Sequence, residues 1–148
     1  MRHAKYHIET SSTSLKFEFV SNGPNGSIRK QVLFQQTSNP AVYNLGFGDV
    51  DEVTGEINDI SISNNNDSQK ILATVASTAV VFFERYPDKY VFATGSTKSR
   101  TRLYRIGISN NLEEIKKEFE VFGFNENNQW EVFQKQANYE AFLIRKIS

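Results

Sequence analysis

The chain has 148 residues, 17 Lys and Arg balanced by 17 Asp and Glu, and no Cys. This length buries roughly two thirds of the extended chain's surface, which suffices for one domain. The lack of Cys excludes disulfides, Cys-ligated metal sites and a thiol nucleophile. The only histidines, His3 and His7, have Glu9 as the one nearby candidate for a third ligand, so we expect no metal, and nothing in the composition requires a cofactor. The longest apolar run, Ala79 to Phe83, is far shorter than the roughly 20 residues that span a bilayer. We therefore expect a cytoplasmic protein without membrane contacts.

The first half of the chain predicts an antiparallel meander. Residues 1–14 are expected to form a poorly ordered or edge segment, ahead of a single domain over residues 15–148. Leu15, Phe17 and Phe19 alternate with other residues at the period of a half-buried strand. The turn formers Asn22 to Gly26 should fold this strand back on the next one. Further strands are predicted at Ile28 to Gln35, Tyr43 to Phe47 and Ile57 to Ser63.

Helical spacing begins after the Asn-rich segment 64–67. Asn and Asp cap helix starts, apolar residues then recur every three or four positions, and Pro87 ends the pattern. This predicts a core helix from Asp67 to Tyr86. The continuous apolar run within Lys89 to Thr94 predicts a fully buried strand. The order of strand, helix and strand favours a parallel crossover and therefore a mixed sheet.

The remaining elements complete an α+β prediction. We expect a helix from Thr97 to Gly107 and a short one from Leu112 to Lys117. Three more strands are predicted at Phe119 to Phe124, Trp130 to Phe133 and Ala141 to Lys146. The expected fold is a single domain with a largely antiparallel, mixed, twisted sheet of six to eight strands and two main helices packed against it.

Charge is distributed unevenly along the neutral chain. Residues 31–69 contain six acids and no Lys or Arg, and residues 89–112 contain five bases and no acid. Two interpretations stay open. The segments could neutralise each other across a contact, or the basic one could face an anionic partner.

The basic segment lies where a strand leads into a helix, whose free amides and dipole favour anions. At about 100° per residue, Lys98, Arg102 and Arg105 share one side of that helix. Guanidinium groups match phosphate oxygens, and hydroxyl groups can donate to them. This predicts a contact site for nucleic acid or a phosphorylated ligand, formed by Ser96, Thr97, Lys98, Arg102 and Arg105. A solvated helix face and a docking face for a protein partner are the alternatives.

Arg100 has a different predicted role, because it falls on the side of the helix that faces the core. A buried arginine must be paired, since an unpaired buried charge costs several kcal/mol. Its candidate partners in the acidic segment are Asp49, Asp51 and Asp59. We therefore expect a structural ion pair.

Aromatic residues occur at strand spacing near the end of the chain. These are Phe122, Phe124, Trp130 and Phe133. Aromatics in this pattern are usually core residues, and base stacking on an open sheet face is the alternative.

Two resemblances add to this prediction. Nearly the whole chain resembles a family of small bacterial proteins, a domain of unknown function, to which no activity is attached. The matching segments are Val42 to Asp49, Asn64 to Asp67 with Ile71 to Ser77, and Ala93 to Thr97 with Arg100 to Arg105.

The second resemblance covers about half the chain and concerns the GNAT superfamily of acyltransferases. A strand, a long helix, a strand and a helix carrying Leu103-Tyr104-Arg105-Ile106-Gly107-Ile108 are similar to its second half. There the helix commonly ends in Leu-Tyr, two residues and Gly-Phe, and the tyrosine often serves as general acid. The resemblance implies acyl-CoA as cofactor and Tyr104 as catalytic residue. The chain departs from the pattern at Asn64 to Lys70, which replaces the glycine-rich pyrophosphate loop.

The sequence thus favours a binding module with an anion-contact surface at Gly95 to Arg105. A toxin–antitoxin or defence pair is one setting in which such a module would act. The alternative is a divergent CoA-dependent acyltransferase with Tyr104 as general acid. Whether the chain is an enzyme, and in which oligomeric state it occurs, the sequence leaves open.

Overall fold

A computed structural model describes residues 4–58, 65–95 and 97–147. These residues form nine strands and three helices. The strands are β1 (Glu9–Thr10), β2 (Lys16–Gly23), β3 (Gly26–Gln36), β4 (Val42–Val50), β5 (Ile57–Asn58), β6 (Tyr90–Ala93), β7 (Phe119–Phe124), β8 (Trp130–Val132) and β9 (Ala141–Lys146). The helices are α1 (Ser68–Arg85), α2 (Lys98–Asn110) and α3 (Leu112–Ile115).

All strands belong to one mixed sheet, which confirms the predicted α+β class. The order is β1-β2-β3-β4-β6-β9-β7-β8, and β5 pairs with β4 off this path. The parallel contact joins β4 to β6, with Val42 opposite Tyr90 and Leu45 opposite Ala93. The strand that follows α1, β6, therefore pairs with β4, the third predicted strand, and not with β5, the fourth. Of that fourth strand, the structure describes β5 alone, and positions 59–63 lie outside the described residues.

The core lies between the sheet and the helices. Phe82 of α1 stacks on Phe34 of β3 with ring centroids 4.6 Å apart, and α2 places Arg100 over Phe47 of β4. The register of β3 and β4 puts Phe34 and Phe47 on the same side of the sheet. The helices α1 and α2 therefore cover one face.

The other sheet face is covered by no helix of the described chain. Because this face is open, β6 alternates between buried and half-buried residues, and the prediction of a fully buried strand is wrong. Trp130 lies on the open face, 6.2 Å from the ring of Phe92 and 5.2 Å from that of Phe124. Phe133, in contrast, is a core residue beside Phe142.

The helix α2 continues three residues past its predicted end at Gly107. A glycine inside a helix costs about 1 kcal/mol relative to alanine. Here a Cβ at Gly107 would come within 3.1 Å of a Leu72 methyl group, so the missing side chain allows α1 and α2 to approach closely. Helix packing therefore overrides the local signal to stop.

Candidate functional site

The turn between β6 and α2 is held by its own backbone and hydroxyl groups. Thr97 is the N-cap of α2, and its Oγ1 accepts from the Arg100 amide at 3.1 Å. The Gly95 amide donates to the Thr101 hydroxyl at 3.0 Å. A Cβ at Gly95 would lie 2.4 Å from the Thr101 nitrogen, so only glycine fits this close approach. The start of the helix is therefore fixed in position. Ser96, another predicted site residue, lies outside the described residues.

The three predicted phosphate-binding cations lie on α2 away from the sheet. Lys98 and Arg102 are exposed and Arg105 is half-buried. At about 100° per residue the three positions fall within an arc of about 60°, opposite the buried Arg100 and Tyr104. We call these three residues the basic face of α2. In the described part of the chain, no carboxylate forms an ion pair with any of them.

Two carboxylates of the acidic segment pair with cations of β3 instead. Asp49 pairs with Lys30, whose side chain is 4% exposed, and Glu52 lies 3.5 Å from Arg29. Asp51 accepts from the Val53 amide within its own loop. Among the described residues, the acidic segment 31–69 therefore does not neutralise the basic face of α2.

Arg100 is 5% exposed, and its guanidinium contacts backbone and ring instead of a described carboxylate. Its Nη1 donates to the Phe47 carbonyl at 2.5 Å, and its guanidinium carbon lies 5.0 Å from the centre of the Phe47 ring. The parallel ladder between β4 and β6 ends at Leu45 and Ala93, so the Phe47 carbonyl lies beyond the last β6 partner. Arg100 thus satisfies a strand carbonyl at the point where the two strands part.

Among the described residues, Arg100 forms no ion pair with Asp49 or Asp51, and its pairing with Asp59 stays a prediction. Asp49 is held by Lys30, which faces it across β3 and β4 in register, so its carboxylate is already paired. Asp51 is used in its own loop. Asp59, the remaining predicted partner, lies outside the described residues.

Tyr104 is buried, with 8% of its surface exposed, and it lines a cavity between the helices and the sheet. The described residues at the start of α1 contact other groups of the protein. Asp67 precedes α1 and accepts hydrogen bonds from the Tyr6 hydroxyl at 2.6 Å and the Ser21 hydroxyl at 2.5 Å. A carboxylate at this helix start disfavours a bound pyrophosphate.

Sequence reasoning missed the structural role of this polar cluster, formed by Tyr6, Ser21, Asn65 and Asp67. Asn65 is 2% exposed, donates to the Gly26 carbonyl at 2.9 Å and accepts from the Asn25 amide at 2.7 Å. The Asp67 side chain makes no capping hydrogen bond to α1. The sequence predicts only a capping role for the Asn-rich segment, whereas Asn65 anchors the hairpin of β2 and β3.

No helix among the described residues has both the length and the apolar character needed to span a membrane. A family model described as "Family of unknown function (DUF6934)" matches residues 2–147, which confirms the resemblance to a domain of unknown function. No curated protein and no solved structure matches the chain.

Proposed function

We propose that this chain, which belongs to the family of unknown function DUF6934, is a binding module whose basic face of α2 contacts the phosphates of a nucleic acid or another phosphorylated partner. The observation that carries the proposal is the set of three cations, Lys98, Arg102 and Arg105, on one side of α2 without described ion-pair partners. Such cations release counterions when they neutralise phosphates, which drives association.

The spacing of the cations favours a chain of phosphates over a single one. Lys98 and Arg105 are seven residues apart, which is about 10 Å along a helix at 1.5 Å per residue. Cations spread over that length can contact successive phosphates of one strand. Two arginines in the set supply planar donors that match phosphate oxygens in paired hydrogen bonds.

The geometry at the N-terminus of α2 also favours anion binding beside the basic face. The Thr97 oxygen accepts from a backbone amide, and its hydroxyl hydrogen can donate to an anion. The first helical amides, those of Lys98 and Ser99, have no acceptor among the described residues. An anion beside Lys98 would therefore meet N–H donors and the positive end of the helix dipole.

The test is retention on heparin and binding of a labelled single-stranded RNA. We expect the triple variant Lys98→Ala, Arg102→Ala, Arg105→Ala to elute from heparin at lower salt and to bind RNA more weakly than the wild type. Its stability should stay within about 1 kcal/mol of the wild type, the usual scale for exposed positions. The matched control removes three exposed cations from elsewhere: Lys5→Ala, Lys16→Ala, Lys146→Ala. Equal loss in both triple variants, or no loss in the first, would contradict the proposal.

The alternative, a divergent acyltransferase with Tyr104 as general acid and acyl-CoA as cofactor, draws support from one observation. Tyr104 is buried beside a cavity, where a proton donor is shielded from water. The Asp67 carboxylate at the start of α1 weighs against it. Millimolar CoA or acetyl-CoA should raise the melting temperature if the alternative holds, and no change would count against it.

We also propose a biological setting: the chain acts in the cytoplasm as one member of a toxin–antitoxin or defence pair. The basic face of α2 would then contact a nucleic acid or an acidic partner protein. A conserved neighbouring gene, co-purified as a complex with this chain, is the observation that would support that setting.

A further inference from the structure

A cavity of about 180 Å³ lies between the three helices and the sheet. Its walls come from α1 (Leu72, Ala76, Ala79), α2 (Ile108), α3 (Ile115) and β9 (Ile144). It lies on the side of α2 opposite the basic face and takes no part in the function proposed above. The walls are mainly apolar.

Small residues keep this space open. Ala76, Ala79, Ala93 and Gly107 carry at most one methyl group each where they line the cavity. The helices cannot close further over it, because Gly107 already packs against Leu72 and the Phe83 ring lies 5.3 Å from that of Phe119. The cavity is therefore a consequence of fixed helix packing.

The volume sets the size of a possible occupant. An apolar protein cavity of about 150 Å³ stays dry and binds benzene. A cavity of about 180 Å³ therefore accommodates a six-membered ring with one or two further heavy atoms.

Polar groups at the mouth set the charge of the occupant. The lining residues include Glu114, Glu118 and Asn111, and none of the described lining residues is Lys or Arg. Asn111 donates its amide nitrogen to the Gly107 carbonyl at 2.8 Å, which leaves its oxygen as a further acceptor. Glu118 has no ion pair among the described residues, and together with the Asn111 oxygen it favours a positively charged group at the entrance.

We propose that this cavity binds a small amphiphilic amine, with an apolar or aromatic body between the helices and an ammonium group at Glu118 and Asn111. The apolar part of the amine makes van der Waals contacts with the cavity walls. Its ammonium group stays at the solvent-exposed entrance, where its desolvation cost is low. Anionic analogues of the same shape are rejected by the carboxylates.

Three probes of one shape test both parts of the proposal: benzylamine, benzyl alcohol and benzoate. Titrations are followed by backbone amide NMR of the full chain, at the signals of Ala76, Ala79 and Ile108. Benzylamine should saturate these signals and bind about threefold more tightly than benzyl alcohol, the scale of a partly exposed ion pair. Benzoate should not bind. No saturable change with benzylamine, or equal binding of benzoate, would overturn the proposal.

Variants separate the cavity from adventitious surface contact. Ala76→Phe or Ala79→Leu fills the space and should abolish binding of benzylamine and benzyl alcohol alike. If both variants fail to fold, the charge variant Glu118→Gln decides whether the proposal holds. Glu118→Gln should then remove the preference for benzylamine over benzyl alcohol. Glu113→Gln is the matched control, because Glu113 is outside this lining and pairs with Lys116. An unchanged preference in Glu118→Gln would overturn the placement of the ammonium group.

Discussion

At the scale of single residues, Arg100 links the sheet to α2. It satisfies the Phe47 carbonyl and covers the Phe47 ring, both on β4. A charged donor suits this position because a hydrogen bond from a charged group contributes about 1.5–3 kcal/mol, more than one from a neutral donor. Arg100 therefore belongs to the folding of the site and not to the ligand-contact surface of α2.

We expect Arg100→Ala to destabilise the fold by about 3 kcal/mol, because it leaves the Phe47 carbonyl unpaired and removes buried side-chain atoms. Arg102→Ala removes the same charge from the exposed side of the same helix and should change stability by about 0.5 kcal/mol or less. Urea unfolding of both variants measures the difference. A wild-type unfolding midpoint for Arg100→Ala would show that the buried contact contributes nothing.

A second residue-scale prediction concerns two strand glycines. A Cβ at Gly123 would lie 2.3 Å from the Tyr139 ring, whereas at Gly46 the nearest atom would be 3.7 Å away. Gly123→Ala should therefore cost about 1–3 kcal/mol through overpacking. Gly46→Ala should be neutral or slightly stabilising, because alanine loses less backbone entropy than glycine on folding. Thermal denaturation of the two variants checks this, and equal melting temperatures would contradict it.

At the scale of elements, two tyrosine–carboxylate contacts join separate segments: Tyr6 and Asp67 are 61 positions apart in the chain, and Tyr139 and Glu131 are 8 positions apart. Burial and the hydrogen bond to Asp67 raise the pKa of Tyr6, which lies ahead of β1. Burial and the hydrogen bond to Glu131 raise the pKa of Tyr139. The hydrogen bonds from Asn125 and Tyr139 lower the pKa of Glu131 in β8.

These shifts predict how stability depends on pH. A tyrosine with a raised pKa in the folded state stabilises below its unfolded pKa of about 10, and this stability is lost as pH rises through the folded pKa. The lowered pKa of Glu131 acts at the acid end, where stability is lost as pH falls below about 4.5.

The double variant Tyr6→Phe, Tyr139→Phe should therefore lose less stability than the wild type between about pH 9 and pH 11.5. Urea midpoints measured across that range test the expectation. Tyr43→Phe serves as the control. Parallel curves for wild type and double variant would mean that these hydroxyls do not control alkaline unfolding.

Element positions could be predicted where periodicity is strong. The spacing of apolar residues placed α1 within one residue of its bounds, and β7 and β9 matched at both ends. Contacts between distant segments could not be predicted. Nothing local to Asn65 indicates that it binds the hairpin turn at Gly26, and the pairing of Asp49 with Lys30 depends on the register of β3 and β4. The common side of Lys98, Arg102 and Arg105 could be predicted, because it follows from helical spacing alone.

At the scale of the whole molecule, zero net charge conceals an ordered distribution. Lys30 and Arg29 on β3 pair with Asp49 and Glu52, so the charge of these two acids is compensated within the sheet. The basic face of α2 is not compensated in this way by the described residues. The central claim is that these three cations contact phosphates.

The salt dependence of RNA binding tests that claim most directly. For single strands, each phosphate contact contributes a slope of about −0.7 to a plot of log affinity against log salt concentration. We expect the triple variant at Lys98, Arg102 and Arg105 to have a slope about 2 units shallower than the wild type. The control triple variant at Lys5, Lys16 and Lys146 should keep the wild-type slope. Identical slopes in all three proteins would contradict the account.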